Sequence, residues 1–341
     1  MSVVRTALGQ IVLGRGLSEK EAEAVMTAVL QGEASPAQIG ALAISLRMKG
    51  ETVDEVTGMA RAMRKAALPF PHVTRPLIDT CGTGGDDGGT FNVSTAVAFV
   101  VAAAGGRVAK HGNRAVSSRT GSADVLEALG ASGDLTPAEA ARMIEEVGVA
   151  FLFAPAYHWA FKHAAEPRRD LGVRTVFNVL GPICNPAGAE RQLVGVYDAA
   201  WVPRLAEVLR NLGAEAAWVV HSDDGLDELS VFAPNRVARW DGHAIIEEKV
   251  DPKTLGLGHD ASEREAVRGG EAAKNLELLT GALAGTAGAA TDIVILNAAA
   301  ALAVGGLAPT LADGALLARE TISSGRARAK LDQFAQAARR R

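Results

Sequence analysis

The chain has 341 residues, of which 35 are basic and 39 acidic, for a formal net charge of −4. At about 150 residues per domain this is two domains, or one large domain with an appendage, and the acidic balance excludes a protein whose main task is to hold nucleic acid through a basic face. Hydrophobic residues at 48% exclude a disordered chain, while aromatics at 4% leave small aliphatic side chains to build the core.

Two cysteines, Cys81 and Cys184, exclude a disulfide scaffold and a four-cysteine zinc site, and read as small buried hydrophobes. The best apolar run, Ala96 to Ala104, is far short of the roughly 18 to 20 residues of a membrane span. The first residues lack the apolar core of a signal peptide. The expectation is a soluble cytoplasmic protein.

In chain order, the first seventy residues predict helices. Ser18 to Glu21, Ser35 to Gln38 and Thr52 to Glu55 are capping boxes, in which a hydroxyl and a carboxyl or amide three residues on satisfy each other's backbone donors. Leu68-Pro69-Phe70-Pro71 then reads as a linker. From Leu77 strands and helices alternate. Strands are expected at Leu77 to Asp79, Arg107 to Ala109, Val149 to Phe153, Leu193 to Tyr197 and Ala217 to Val220, with helices from Thr95, from Ala123 to Leu129, and after the Thr136 cap. Such alternation predicts a largely parallel α/β sheet. Val231-Phe232 and Val237 to Trp240 read as an antiparallel pair, and residues 275 to 337 return to helix.

Four segments carry chemistry. Asp79 to Thr95, DTCGTGGDDGGTFNVST, joins a strand to a helix start through five glycines. Glycines let backbone N–H groups converge on an anion, and the helix start adds unpaired donors, so a phosphate or pyrophosphate fits. The plain alternative is a tight turn, and the spacing is neither a Walker loop nor GxGxxG. Lys110 to Gly130 repeats the theme on the next strand, with Lys110 and Arg114 for charge and Ser117, Ser118 and Ser122 for hydroxyls. Two such loops on consecutive strand-to-helix turns would share one edge of a parallel sheet. Asp223 to Glu228, directly after a strand, is either a solvated acidic turn or, beside a polyphosphate, a Mg²⁺ site. Tyr157 to Pro186 holds His158, His163, Arg168, Arg169 and Arg174. The two histidines are five apart and share no helix face for zinc. A guanidinium could clamp a carboxylate, but spacing does not choose among the three arginines.

Together these blocks resemble the anthranilate phosphoribosyltransferases of tryptophan biosynthesis, within the nucleoside phosphorylase-like phosphoribosyltransferases. The resemblance rests on Gly82-Thr83-Gly84-Gly85-Asp86, Thr90 to Thr95, Lys110 to Arg114, Gly121 to Asp124, Arg174 to Asn178, Leu180-Gly181-Pro182, His221 with Asp224 to Glu228, and Asp292 to Ala298. It implies a small helical domain, residues 1–70, joined by a later helical segment near 165–190, and an α/β domain, 75–341, whose mostly parallel central sheet is surrounded by helices. It implies a homodimer with no nucleic-acid or membrane partner. It implies transfer of the phosphoribosyl group of 5-phosphoribosyl 1-pyrophosphate (PRPP) to the amine of anthranilate.

Carried over residue by residue, the resemblance assigns PRPP to Gly82, Gly85, Asp86, Thr90, Asn92, Val93, Ser94, Thr95, Lys110, His111, Gly112, Asn113, Arg114, Ala115, Val116, Ser117, Ser118 and Ser122. Anthranilate falls to Gly82, Asn113, His158, Arg168 and Pro182. A pair of Mg²⁺ ions falls to Ser94, Asp227 and Glu228. Catalysis is then by positioning and electrostatics, with no obligatory protein base. The sequence departs from the family pattern at Trp159, where proline is expected, at Asp87, where glycine is usual, and at Lys274, often acidic. The competing readings are a pyrimidine nucleoside phosphorylase, for which a longer chain and a lysine-serine phosphate loop are expected, and a nucleic-acid-binding relative, against which the acidic net charge argues.

Overall fold

A computed structural model describes residues 2–85, 89–115, 119–131 and 134–339. Asp86, Asp87, Val116, Ser117 and Ser118 therefore lie outside the described residues. The chain opens with α1 (Val3–Ile11), α2 (Glu19–Leu30), α3 (Pro36–Lys49) and α4 (Val53–Ala66). The three capping boxes form as expected, with the Ser18, Ser35 and Thr52 side chains each accepting from the backbone three residues on. Glu55 does more than cap: fully buried, it accepts from the backbone of Leu17 at 2.9 Å and Thr52 at 2.8 Å, and from Lys49 Nζ at 2.9 Å. These contacts offset the cost of burying a carboxylate.

The remainder is β1 (Ile78–Gly82), α5 (Val93–Ala103), β2 (Val108–Gly112), α6 (Ser122–Ala128), α7 (Pro137–Val147), β3 (Val149–Phe153), α8 (Ala154–Tyr157), α9 (Lys162–Leu171), α10 (Val176–Ile183), β4 (Arg191–Gly195), α11 (Trp201–Asn211), β5 (Ala216–Ser222), β6 (Asn235–Trp240), β7 (Ile245–Val250), α12 (Ala272–Leu283), α13 (Ala289–Val304), α14 (Leu311–Ser323) and α15 (Arg326–Arg339). The sheet order is β3-β2-β1-β4-β5-β6-β7. The first five strands are parallel, and β6 and β7 run antiparallel to their neighbours. After β1 the chain moves outward to β2 and β3, then returns to place β4 on the other side of β1. The carboxyl ends of β1 and β4 therefore flank a topological switch point, where open α/β sheets form their ligand crevice.

Side-chain alternation divides the interior. Leu193, Trp218, Val220 and Val237 point into one core with α5, α13, α14 and α15, while Val194, Val219 and Ala238 join Cys81 and Cys184 in another with α1 to α4, α10 and α11. Both cysteines are buried and free, as the sequence predicts. The alanine-rich α13 is buried nearly all round, and Gly314 lets α14 approach the Ala299 backbone closely. Small side chains thus replace large ones as the means of dense packing.

Two expectations need correction. Val231-Phe232 is not a strand: the Val231 carbonyl accepts from the His259 backbone at 2.8 Å, and the Phe232 N–H donates to Ser230 Oγ at 3.0 Å. The strand at 235–240 pairs instead with β5 and with β7. The sequence reading missed β7 because Glu247, Glu248 and Lys249 give this edge strand an exposed, charged texture rather than an apolar one.

Two glycines predict opposite outcomes. A Cβ at Gly58 in α4 would meet Ala22 Cβ at 2.9 Å and collide with the Glu19 carbonyl of α2, whereas one at Gly9 in α1 meets nothing within 4 Å. Gly58→Ala is expected to destabilise by about 1–3 kcal/mol and Gly9→Ala to stabilise by about 0.5–1 kcal/mol, read as urea midpoints at unchanged m-value.

Candidate active site

The carboxyl ends of β1 and β4 are both glycine. A Cβ at Gly82 would strike Asp227 Oδ2, and one at Gly195 would strike the Asp227 carbonyl. Asp227, 7% exposed, fills the notch these two residues leave and accepts from the Gly84 N–H at 2.7 Å. Burial raises its pKa, against the Gly84 hydrogen bond and the charges of His221 and Arg174. Its neighbour Glu228 accepts from the Ser94 N–H at 3.2 Å, in the first turn of α5. From the next strand, Lys110 reaches beneath the loop, its Nζ donating to the Thr80 carbonyl at 2.5 Å and to Ser94 Oγ at 3.2 Å. Burial pulls the Lys110 pKa down, while Asp79, Cys81, Glu228 and Asp227 pull it up. Ser94, Asp227, Glu228 and Lys110, expected from three distant segments, are thus brought together.

This donor set fits a hard divalent cation. Two consecutive buried carboxylates stand beside a serine hydroxyl, one of them penalised for holding its charge away from water. Mg²⁺ is such a cation: it takes few protein ligands and completes its shell with water and phosphate oxygens.

The loop after β2 lies beside the loop after β1, as expected of consecutive parallel strands. Asn92 Nδ2 reaches the Thr120 carbonyl at 3.4 Å. Asp124 in α6 gathers the neck of the second loop, accepting from the N–H groups of Ala115 at 3.1 Å and Gly121 at 2.8 Å. Gly112, Asn113 and Ser122 meet at the start of α6, where Ser122 Oγ donates to the Asn113 carbonyl at 3.3 Å. Arg114 pairs with Asp124 and Glu127 and lies 5.6 Å from the Phe153 ring.

The three arginines that spacing left equivalent are separated by structure. Arg169 is exposed beside Asp170. Arg174 grips the first glycine loop, donating to the Gly85 carbonyl and stacking 4.7 Å from the Tyr197 ring. Arg168 lies 5.1 Å from the Phe161 ring and 5.7 Å from the Phe177 ring. Among the described residues no carboxylate pairs with it, and burial lowers its pKa. A planar cation packed against a pair of aromatic rings, with no carboxylate partner among the described residues, is suited to an aromatic carboxylate.

His158 and His111 meet with ring centroids 5.4 Å apart. His158 Nε2 is 2.9 Å from the Cys184 carbonyl, and the His111 ring lies near the Gly181 backbone. Both therefore border the Gly181-Pro182 end of α10, and burial keeps both below the ordinary imidazole range. Trp159 is 56% exposed with Lys162 Nζ 5.3 Å from its ring, and Lys274 is exposed.

One feature escaped the sequence reading. Residues 259–275 form a strap across both loops. Its Val267 carbonyl accepts from the Phe91 N–H at 3.0 Å, its Gly269 N–H donates to the Gly89 carbonyl at 2.7 Å, and Arg264 pairs with Asp224 at 2.6 Å. The Gly269-Gly270 pair was the available signal, since a Cβ at Gly269 would approach the Thr90 carbonyl to 2.7 Å.

Comparison with known proteins agrees with this geometry. Residues 74–328 match the glycosyl transferase family a/b domain and residues 5–67 its helical bundle domain. The chain is 53% identical over 318 residues to the anthranilate phosphoribosyltransferase of Thioalkalivibrio sulfidiphilus, covering 93% of this chain and 94% of that one. The chain belongs to the anthranilate phosphoribosyltransferase family. A second family member, from Teredinibacter turnerae, is 50% identical, with 97% and 98% covered. The crystal structure of the Thermus thermophilus anthranilate phosphoribosyltransferase superposes with a TM-score of 0.92 at 44% identity, covering 99% of this chain and all of that one. The Saccharomyces cerevisiae anthranilate phosphoribosyltransferase in complex with PRPP and Mg shares the fold, with a TM-score of 0.87 at 23% identity and coverage of 99% and 98%. No helix among the described residues is long and apolar enough to cross a membrane.

At the strap's beginning, His259 contacts Asp292 at 2.8 Å, Glu263 at 3.1 Å and the Phe232 ring. Burial opposes its charge, but the hydrogen bonds to Asp292 and Glu263 prevail and raise its pKa. Its stabilising contribution is complete below the unfolded imidazole value and is lost as pH rises through the raised folded value. The Tm advantage of the wild type over His259→Gln is therefore expected to shrink from about pH 5 to about pH 8, measured by thermal melts in buffers of equal ionic strength.

Proposed function

We propose that the two loops after β1 and β2 cradle PRPP while Arg168 presents anthranilate to it. The enzyme transfers the phosphoribosyl group to the anthranilate amine, giving N-(5-phosphoribosyl)anthranilate and pyrophosphate. The observation that carries the site assignment is the convergence of Lys110, Ser94, Asp227 and Glu228 at the switch point between β1 and β4.

In this reading Gly82, Gly85, Thr90, Asn92 to Thr95, Lys110 to Ala115 and Ser122 hold PRPP, joined by Asp86 and Val116 to Ser118 outside the described residues. Ser94, Asp227 and Glu228 hold Mg²⁺, as a pair of ions. Bound there, the metal neutralises diphosphate charge and eases its departure. The Lys110 ammonium and the N-terminus of α5 put further positive potential where the leaving group gains charge. Gly82, Asn113, His158, Arg168 and Pro182 orient the acceptor. Anthranilate is already a nucleophile, so the protein's part is to align its amine with the ribose C1, on the side opposite the pyrophosphate. We also infer a homodimer in the cytoplasm, with a helical domain of residues 1–70 completed by the segment near 165–190 and an α/β domain of 75–341.

The direct test mixes the protein with anthranilate, PRPP and Mg²⁺ and follows the loss of anthranilate fluorescence; no loss, or phosphorolysis of thymidine instead, would overturn the reading. Arg168→Ala is expected to raise the KM for anthranilate by more than about tenfold while moving that for PRPP by less than about threefold. Joint Asp227→Asn and Glu228→Gln substitution is expected to abolish turnover at ordinary Mg²⁺ concentrations, measured in the same assay across a Mg²⁺ titration.

A further inference from the structure

We propose that Asn275 is a positioning residue for PRPP, acting through Asn92; this rests on the functional reading above. Asn275 lies in the first turn of α12, at the end of the strap, and is 2% exposed. Both ends of its amide are used. Its Oδ1 accepts from the Gly270 N–H at 2.7 Å, and its Nδ2 donates to Asn92 Oδ1 at 2.9 Å. Asn92 in turn directs its Nδ2 to the Thr120 carbonyl at 3.4 Å, and Thr120 Oγ1 donates to the Gly270 carbonyl at 2.7 Å. The four residues close a ring: Asn275 to Asn92, Asn92 to Thr120, Thr120 to Gly270, and Gly270 back to Asn275.

Each bond in the ring joins segments that are far apart in sequence or fixes the turn between them. Asn92 is the residue that precedes α5, Thr120 ends the loop after β2, and Gly270 belongs to the strap. The ring therefore sets the separation of the two anion-binding loops and the direction of the helix start between them. The strap is already held to the first loop by the Phe91 and Gly89 backbone bonds. Asn275 extends that hold to the side chain at the helix entrance. A buried amide with both its ends satisfied tolerates neither rotation nor truncation, because the loss leaves the Gly270 N–H and the Asn92 carbonyl oxygen without partners. A small error in loop separation is costly where binding depends on several convergent donors.

The consequence is selective. PRPP, which would span both loops, should feel the loss of the ring most; anthranilate, which shares only Gly82 and Asn113 with those loops and is anchored by Arg168 in α9, should feel it far less. Asn275→Ala is expected to raise the KM for PRPP about tenfold while leaving that for anthranilate within about twofold. Asn275→Asp, which retains an acceptor for the Gly270 N–H but has no donor for Asn92, should keep the turn folded and still weaken PRPP. If the alanine variant does not fold, the aspartate variant decides. Combined with Asn92→Ala, either change should add little, since the two side chains act as one unit. Direct calorimetric titration of PRPP with Mg²⁺ into the wild type separates the two levels of the argument. Failure of the wild type to bind PRPP would overturn the functional reading. Normal wild-type binding together with equal rises in both KM values, additive double-variant effects, or an unchanged PRPP affinity in a folded Asn275 variant would overturn the role of Asn275.

Discussion

The site depends on one carboxylate occupying space that two absent side chains provide. Asp227 sits against Gly82 at the end of β1 and Gly195 at the end of β4, close enough that a single methyl group at either position would displace it. The two strands are neighbours in the sheet although more than a hundred residues apart in the chain. Their junction is therefore both the topological switch point and the place where an acidic segment can be pressed down to the level of the backbone. The Gly84 N–H and the Arg174 grip on Gly85 fix the glycine loop around the carboxylate.

Charge compensation follows from that placement. Asp79, Asp227 and Glu228 are all buried, and so is Lys110, whose ammonium lies between the Thr80 carbonyl and Ser94 Oγ. Asp79 is held from below by the His111 N–H at 3.0 Å and Asn185 Nδ2 at 2.8 Å. Among the described residues Lys110 thus stands among three buried carboxylates, and at Asp227 the charges of His221 and Arg174 assist it. Burial raises the pKa of Asp79 and of Asp227 alike.

Much of the fold was legible because local chemistry and tertiary structure agree. The Ser18, Ser35, Thr52 and Thr136 capping boxes start helices where the sequence places them, and β3 occupies 149–153 as read. The glycine loops announced themselves through composition. What was hidden depends on contacts at long sequence separation. Spacing could not distinguish Arg168 from Arg174, because the difference is a pair of aromatic rings for one and the Gly85 carbonyl for the other. The strap was hidden for the same reason: Arg264 and Asn275 look like ordinary helix residues until Asp224 and Asn92 are brought beside them. β7 was missed because an edge strand exposed to water does not carry the apolar pattern of a central one.

The position of Trp159 has an optical consequence. It stands immediately after His158 and is 56% exposed, whereas Trp201 and Trp218 are each 6% exposed. A water-facing indole emits to the red of buried ones and is open to collisional quenchers. Its emission also overlaps the absorption of aminobenzoates. Under the proposed assignment of His158 to the acceptor, Trp159 would be an intrinsic energy donor beside it, able to report arrival of the aromatic amine without any added label.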